Sequence, residues 1–245
     1  MQIITCAVIK GGTGKTATVA TLAQCARSEG KKVLCIDLDP QATLTNMLGA
    51  DRTAPGAYDL LKGAAIQQTI QPTKQQIDVI AGAPGLTGYK FNSYVLKSAL
   101  EPIKKAYDFI FIDTPPYFCG LTYEALNTAT GLIIAMQADG GSMQGQAYIL
   151  EIAQDIKKKT NNKLKTLGCI ITLYDKRPNI CRYMREQIHE QCKALKCPYL
   201  GEVSRSVSYL EAQALHRNLY DYAPKSKPAQ EYKAIYNKLF KASEG

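Results

Sequence analysis

Lys10-Gly11-Gly12-Thr13-Gly14-Lys15-Thr16 follows an apolar run, Ile3 to Ile9, and precedes Ala17 to Ser28, where Ala20, Leu22, Ala23 and Ala26 suit a helix. Strand, glycine-rich turn and helix form the context that a phosphate-binding loop requires. Glycines let the backbone curl so that successive N–H groups point at phosphate oxygens, and the helix N-terminus adds a favourable dipole. Lys15 is placed to bridge the β- and γ-phosphates, and the Thr16 hydroxyl to ligate Mg²⁺. The expected ligand is therefore a nucleotide with Mg²⁺.

Lys10 adds a second lysine at the start of the loop. Lys-Gly-Gly-x-Gly-Lys-Thr resembles the deviant Walker A motif of the ParA/MinD family of ATPases. Four further segments, in family order, carry the same resemblance: Asp37-Leu38-Asp39-Pro40-Gln41, Ile112-Asp113-Thr114-Pro115-Pro116, residues 172–179 (Thr-Leu-Tyr-Asp-Lys-Arg-Pro-Asn), and Gly201 through Ala212 with its Arg205 and Glu211. The resemblance implies that Lys10 crosses a dimer interface to the partner's nucleotide. It also implies that Asp39 positions the attacking water and helps hold the Mg²⁺ hydration shell. Lys10, Lys15 and Asp39 are thus the catalytic candidates, and Thr16, Asp39 and Asp113 the metal candidates. The nucleotide set is Lys10, Gly11, Gly12, Thr13, Gly14, Lys15, Thr16, Ala17, Thr172 and Arg205. Ala17 stands where the family commonly has a second threonine, Ser204 where it has proline and Ser208 where it often has arginine.

Read from the residues, Lys32 to Asp39 is a second strand that Pro40 ends, and its aspartates lie at a C-terminal strand end, where open parallel sheets bind ligands. Residues 43–75 read as short helical patches and turns, Ile77 to Ile80 as a strand and Phe91 to Lys105 as a helix. Phe109 to Asp113 is a Walker B-like strand ending in a carboxylate near the metal position. Gly131 to Met136 and Thr166 to Leu173 are buried strands; Ile180 to Leu195 and Pro228 to Lys241 are helices. Strands with continuous apolar runs, alternating with helices, predict a doubly wound, mostly parallel α/β sheet covered on both faces. With no repeat or linker, residues 1–245 are expected to form a single P-loop ATPase domain without an N-terminal DNA-reading module.

The chain of 245 residues carries a formal net charge of +9, with much of the basic excess after residue 156. Such a surface favours nucleic-acid backbones or acidic membranes. No apolar run approaches the ~20 residues of a membrane span. Of the eight cysteines, several fall inside predicted strands and helices, which fits a reduced cytosolic protein rather than a disulfide framework. Cys181, His189, Cys192 and Cys197 lack the paired short spacings of a zinc site.

The resemblance implies a DNA-partition ATPase of the small ParA kind. ATP would join two subunits, and the homodimer would bind DNA non-specifically. A centromere-binding partner of the ParB kind would then trigger an otherwise slow hydrolysis and release. Such a protein would be cytoplasmic and nucleoid-associated. Arg182, Arg185, Lys193, Lys196, Arg205, Arg217, Lys225 and Lys227 lie in the segments where the family places its DNA-contacting residues. A MinD-like ATPase that positions the division site is the alternative. It needs a C-terminal amphipathic helix at the bilayer surface, and Tyr232, Ile235, Tyr236, Leu239 and Phe240 do recur at helical spacing. An iron–sulfur reductase of the nitrogenase iron-protein kind needs two cysteines per subunit. Cys119 could be one, but Ala81 to Lys90 contains none, so the cluster cannot be completed.

Overall fold

A computed structural model describes residues 1–91 and 94–241. The chain runs β1 (Gln2–Cys6), α1 (Lys15–Ser28), β2 (Val33–Asp37), α2 (Thr43–Leu48), α3 (Ala57–Leu61), β3 (Ile70–Pro72) and β4 (Asp78–Ile80). It continues α4 (Val95–Ala99), β5 (Phe109–Asp113), α5 (Gly120–Thr128), β6 (Gly131–Met136), α6 (Gly140–Lys159) and β7 (Lys165–Tyr174). It closes with α7 (Asn179–Ala194), β8 (Tyr199–Ser204), α8 (Val207–Ala214), α9 (Leu219–Tyr222) and α10 (Lys227–Phe240).

The eight strands form one sheet in the order β3-β4-β2-β5-β1-β6-β7-β8. Every neighbouring pair is parallel except β3–β4. Alternate residues of each strand point to opposite faces. Ile3, Leu34, Ile36, Ile110, Ile112, Leu132 and Ile134 pack beneath α3 to α7. Ile4, Val33, Cys35, Phe109, Phe111, Ile133 and Ala135 pack against α1, α2 and α10. Burial on both faces is why these strands read as unbroken apolar runs. From β1 the chain crosses by α1 to β2 on one side, and from β5 by α5 to β6 on the other. The ends of β1, β2 and β5 therefore open on a crevice where the winding reverses, the place such sheets bind ligands.

Two sequence expectations need correction. The helix expected from Phe91 to Lys105 is a short α-helix, Val95–Ala99, followed by a 3₁₀ turn, Glu101–Ile103; its positions 92 and 93 lie outside the described residues. Tyr94 has φ 56, and Pro102 lacks the N–H that a helix interior would need. Within residues 43–75, Ile70–Pro72 is a strand rather than a turn, and its proline is tolerated because β3 is an edge. Tyr199–Ser204 is also a strand. Leu200 and Val203 are buried and its other residues only partly so, because β8 closes the opposite edge.

The apolar stripe of α10 is spent on the core. Tyr232, Ile235 and Tyr236 are each 2 % exposed and Phe240 7 %, packed with α1 and the sheet. Among the described residues no helix is long and apolar enough to cross a membrane.

Candidate nucleotide site

Gly12 and Gly14 turn the loop with φ 72 and 75, a left-handed geometry that costs glycine little. Gly14 also caps α1, and a Cβ there would meet Thr172 at 3.1 Å. Thr172, 2 % exposed, donates its hydroxyl to Thr13 O at 2.6 Å. It also lies 3.0 Å from Met136 O. Thr172 thus holds the loop against the ends of β6 and β7. Thr18 N makes the first helical bond, to Gly14 O, so the preceding N–H groups of the helix start face the crevice as an anion cradle.

Lys15 is buried at 6 % exposure and its Nζ donates to Lys10 O at 3.2 Å. Burial lowers its pKa, against the pull of Asp113. Thr16 Oγ1 donates to Asp113 Oδ2 at 2.7 Å. The other carboxylate oxygen, Asp113 Oδ1, is buried without a hydrogen-bond partner. Burial first, and Asp37 second, push the Asp113 carboxyl up to about 8. A hydroxyl, a buried carboxylate with an orphaned oxygen and further carboxylates nearby are the hard oxygen donors that Mg²⁺ takes. The residues present fit that ion.

Asp37 and Asp39 divide their work. Asp37 is fully buried; its Oδ2 accepts from Thr45 N at 2.9 Å and Thr45 Oγ1 at 2.8 Å, and its Oδ1 from Asp39 N. Burial raises its carboxyl to about 6 against those hydrogen bonds. Asp39 is half-exposed, with Oδ1 held by Gln41 N at 2.9 Å. Asp37 pins the loop that presents Asp39.

Lys10 does not point into the loop. Its Nζ pairs with Asp139 Oδ2 at 2.5 Å. Asp139 also caps α6, accepting from Ser142 N at 2.8 Å. Gln137 donates to Gly12 O at 2.9 Å. Sequence reading missed Asp139, Gln137 and Thr45 as parts of the site. Asp139 after a strand is by itself a helix-start residue, but only folding shows that it meets Lys10, 129 positions away.

Ala17, Thr172 and Arg205 line a cavity of about 200 Å³ with Leu173, Val203, Tyr209 and Leu210. It opens beside Gly14, where a base attached to loop-bound phosphates would lie. The basic residues do not form one cluster. Arg185, Arg205 and Lys227 share the wall of a broad cavity with Lys176 and Arg177. Lys193 and Lys196 line a separate one with His189. Arg182 is exposed on α7 beside Asn179, Arg217 lies over the Tyr222 ring, and Lys225 is exposed before α10. Several are already paired: Arg185 with Glu202, Lys193 with Glu190 and Lys227 with Glu231.

A family model described as an AAA domain matches residues 1–166. The chromosome-partitioning ATPase Soj of Thermus thermophilus is 30% identical over 234 residues, covering 92% of this chain and 90% of that protein. The sporulation initiation inhibitor protein Soj of Bacillus subtilis is 30% identical, over 91% of this chain and 92% of its own. Cobyrinic acid a,c-diamide synthase of Mycobacterium smegmatis, solved with ADP and magnesium, superposes with a TM-score of 0.83 at 27% identity, over 97% of this chain and 93% of that one.

Proposed function

This chain belongs to the ParA/MinD family of ATPases, and from that premise we propose that it is an ATP-driven DNA-partition switch. ATP with Mg²⁺ closes a homodimer across two phosphate loops, the dimer holds DNA without regard to sequence, and hydrolysis releases it. The observation that carries this reading is the division between the two loop lysines. Lys15 is enclosed, whereas Lys10 sits partly exposed at the loop's mouth on a replaceable carboxylate partner. A cation so placed can exchange Asp139 for the phosphates of a facing subunit.

In the chemical step water attacks the γ-phosphorus, the β–γ bridging P–O bond breaks, and the water's proton leaves with inorganic phosphate. Asp39 is positioned to orient that water through the carboxylate oxygen not held by Gln41. Lys15 and the loop N–H groups neutralise the charge that develops on the phosphates. Thr16, Asp113 and the half-exposed Asp39 would hold Mg²⁺, which supplies Lewis-acid polarisation of the phosphoryl oxygens. The partly exposed site fits slow intrinsic turnover, which a ParB-kind partner would accelerate.

The α10 stripe supports DNA over a membrane as cargo surface, because the side chains that would enter a bilayer are buried. Anisotropy titrations of a random duplex with and without ATP test the whole reading. Tight binding is expected only with ATP, falling steeply between low and moderate salt as phosphate counterions are released. Equal binding in both nucleotide states, or binding to acidic vesicles in place of DNA, would refute it.

A further inference from the structure

Cys169, Cys192 and Cys197 are all buried, and their sulfurs lie within 4.8 Å of one another. Cys169 Sγ and Cys192 Sγ are 3.1 Å apart. By spacing along the chain, Cys181 stands nearest to Cys192 and Cys197, and those positions alone make no zinc site. Folding brings Cys169 to them instead, because it comes from β7, the strand on which α7 packs. We infer that these three thiols form a binding site for a thiophilic divalent cation, Zn²⁺ being the ordinary one, separate from the nucleotide site.

The backbone presents the three sulfurs from segments already tied together. Lys196, at φ 51, reverses the chain after α7, and Cys197 N donates to Cys192 O at 2.9 Å. Cys169 N donates to Pro198 O at 2.8 Å. That approach needs glycine at 168, where a Cβ would stand 2.4 Å from Pro198 O. Zinc–sulfur bonds of about 2.3 Å place tetrahedral thiolates roughly 3.8 Å apart, between the closest pair and the outer limit found here. Only small rotations of the side chains are needed.

The surroundings of Cys192 suit a thiolate rather than an inert hydrophobe. Gln146, with no exposed surface, donates Nε2 to Cys192 Sγ at 3.3 Å, and Gln191 donates to Gln146 Oε1 at 2.9 Å. Such an outer layer orients a ligand and favours its charged form. Three thiolates around a divalent ion leave one net negative charge, and His189, Lys193 and Lys196 line the cavity of about 380 Å³ that reaches Cys192 and Cys197 from the surface. That cavity supplies an entry path and room for a fourth ligand. Each thiol that coordinates gives its proton to solvent. The bound ion would pin the C-terminal end of α7 to β7 and to the start of β8.

The test titrates reduced, chelator-stripped full-length protein, without nucleotide, with Co²⁺. A sulfur-to-cobalt charge-transfer band saturating at one ion per chain is expected, and Zn²⁺ should bleach it. The band should be lost in Cys192→Ser and Cys169→Ser and kept in Cys181→Ser, and Zn²⁺ should raise the unfolding temperature of the wild type. The wild-type spectrum decides the matter even if a variant fails to fold. No thiolate band in the wild type, a band surviving in folded Cys192→Ser, or air oxidation to a Cys169–Cys192 disulfide with no cobalt uptake under reduction would each overturn the site.

Discussion

Lys10 and Lys15 lie five positions apart and face different surroundings, one half-open on Asp139 and one buried beneath the loop. Lys10→Ala should therefore leave much of the monomer's nucleotide affinity intact, yet abolish the ATP-dependent dimer and hydrolysis. Light scattering with ATP checks this, and a dimer surviving the change would remove Lys10 from the interface. Asp113 gives a second expectation. Its carboxyl is pushed up to about 8 by burial and by Asp37, so the folded protein holds that proton more tightly than the unfolded chain. The stability it contributes is present in acid and is lost as pH rises from about 4 toward 8. Asp113→Asn should flatten that fall in metal-free protein while abolishing Mg²⁺-dependent hydrolysis. Thermal unfolding from pH 5 to 8.5 reads the first effect and phosphate release the second; an unchanged slope would show that Asp113 does not carry the charge.

At the scale of elements, α1 and α10 are joined where the site is built. Thr18 Oγ1 and Tyr232 Oη lie 3.1 Å apart in the core. Tyr232 packs among the α1 side of the sheet and also lines the cavity beside Gly14. Tyr232→Ala removes a buried aromatic, which costs roughly 3–5 kcal/mol by cavity formation. Tyr232→Phe loses only the hydrogen bond, about 1 kcal/mol. Urea unfolding distinguishes the two, and near-equal losses would mean that packing does not dominate at α10. A helix held this way is packed into the core beside the loop at Gly14.

For the whole molecule, the proposed DNA contact rests on the basic residues as a set. Arg185, Arg205 and Lys227 share one wall, while Lys193 lies at the far end of α7, about 12 Å along the helix from Arg185, with Lys196 just past that end. In an ATP dimer two such walls would act on one duplex, and doubling the phosphates met roughly doubles the salt slope. Arg185→Glu with Lys227→Glu should weaken DNA binding and flatten its salt dependence, with the ATP dimer intact by sedimentation. Unchanged DNA affinity would move the contact surface elsewhere.

Much was legible in the linear chain because it rests on local chemistry. Alternating apolar strands and helices announce a parallel sheet buried on both faces. Lys10 to Thr16 announces a phosphate loop, and Asp113 at the end of an apolar strand announces a carboxylate beside it. These signals depend on neighbours within a few residues. Other features depend on which distant segments the sheet order brings together. The edge strands β3 and β8 carry little apolar pattern, since an edge has less to bury. The partition of roles between Asp37 and Asp39 follows from Thr45 folding back onto one of them. Asp139 meets Lys10 because β6 lies beside β1, and Cys169 meets Cys192 because α7 folds back onto β7. The sequence by itself determined the layered fold and the phosphate chemistry, both encoded in local periodicity and spacing. The tertiary structure alone decided which charges and thiols are partners, because those contacts are made across strands whose order no local pattern records.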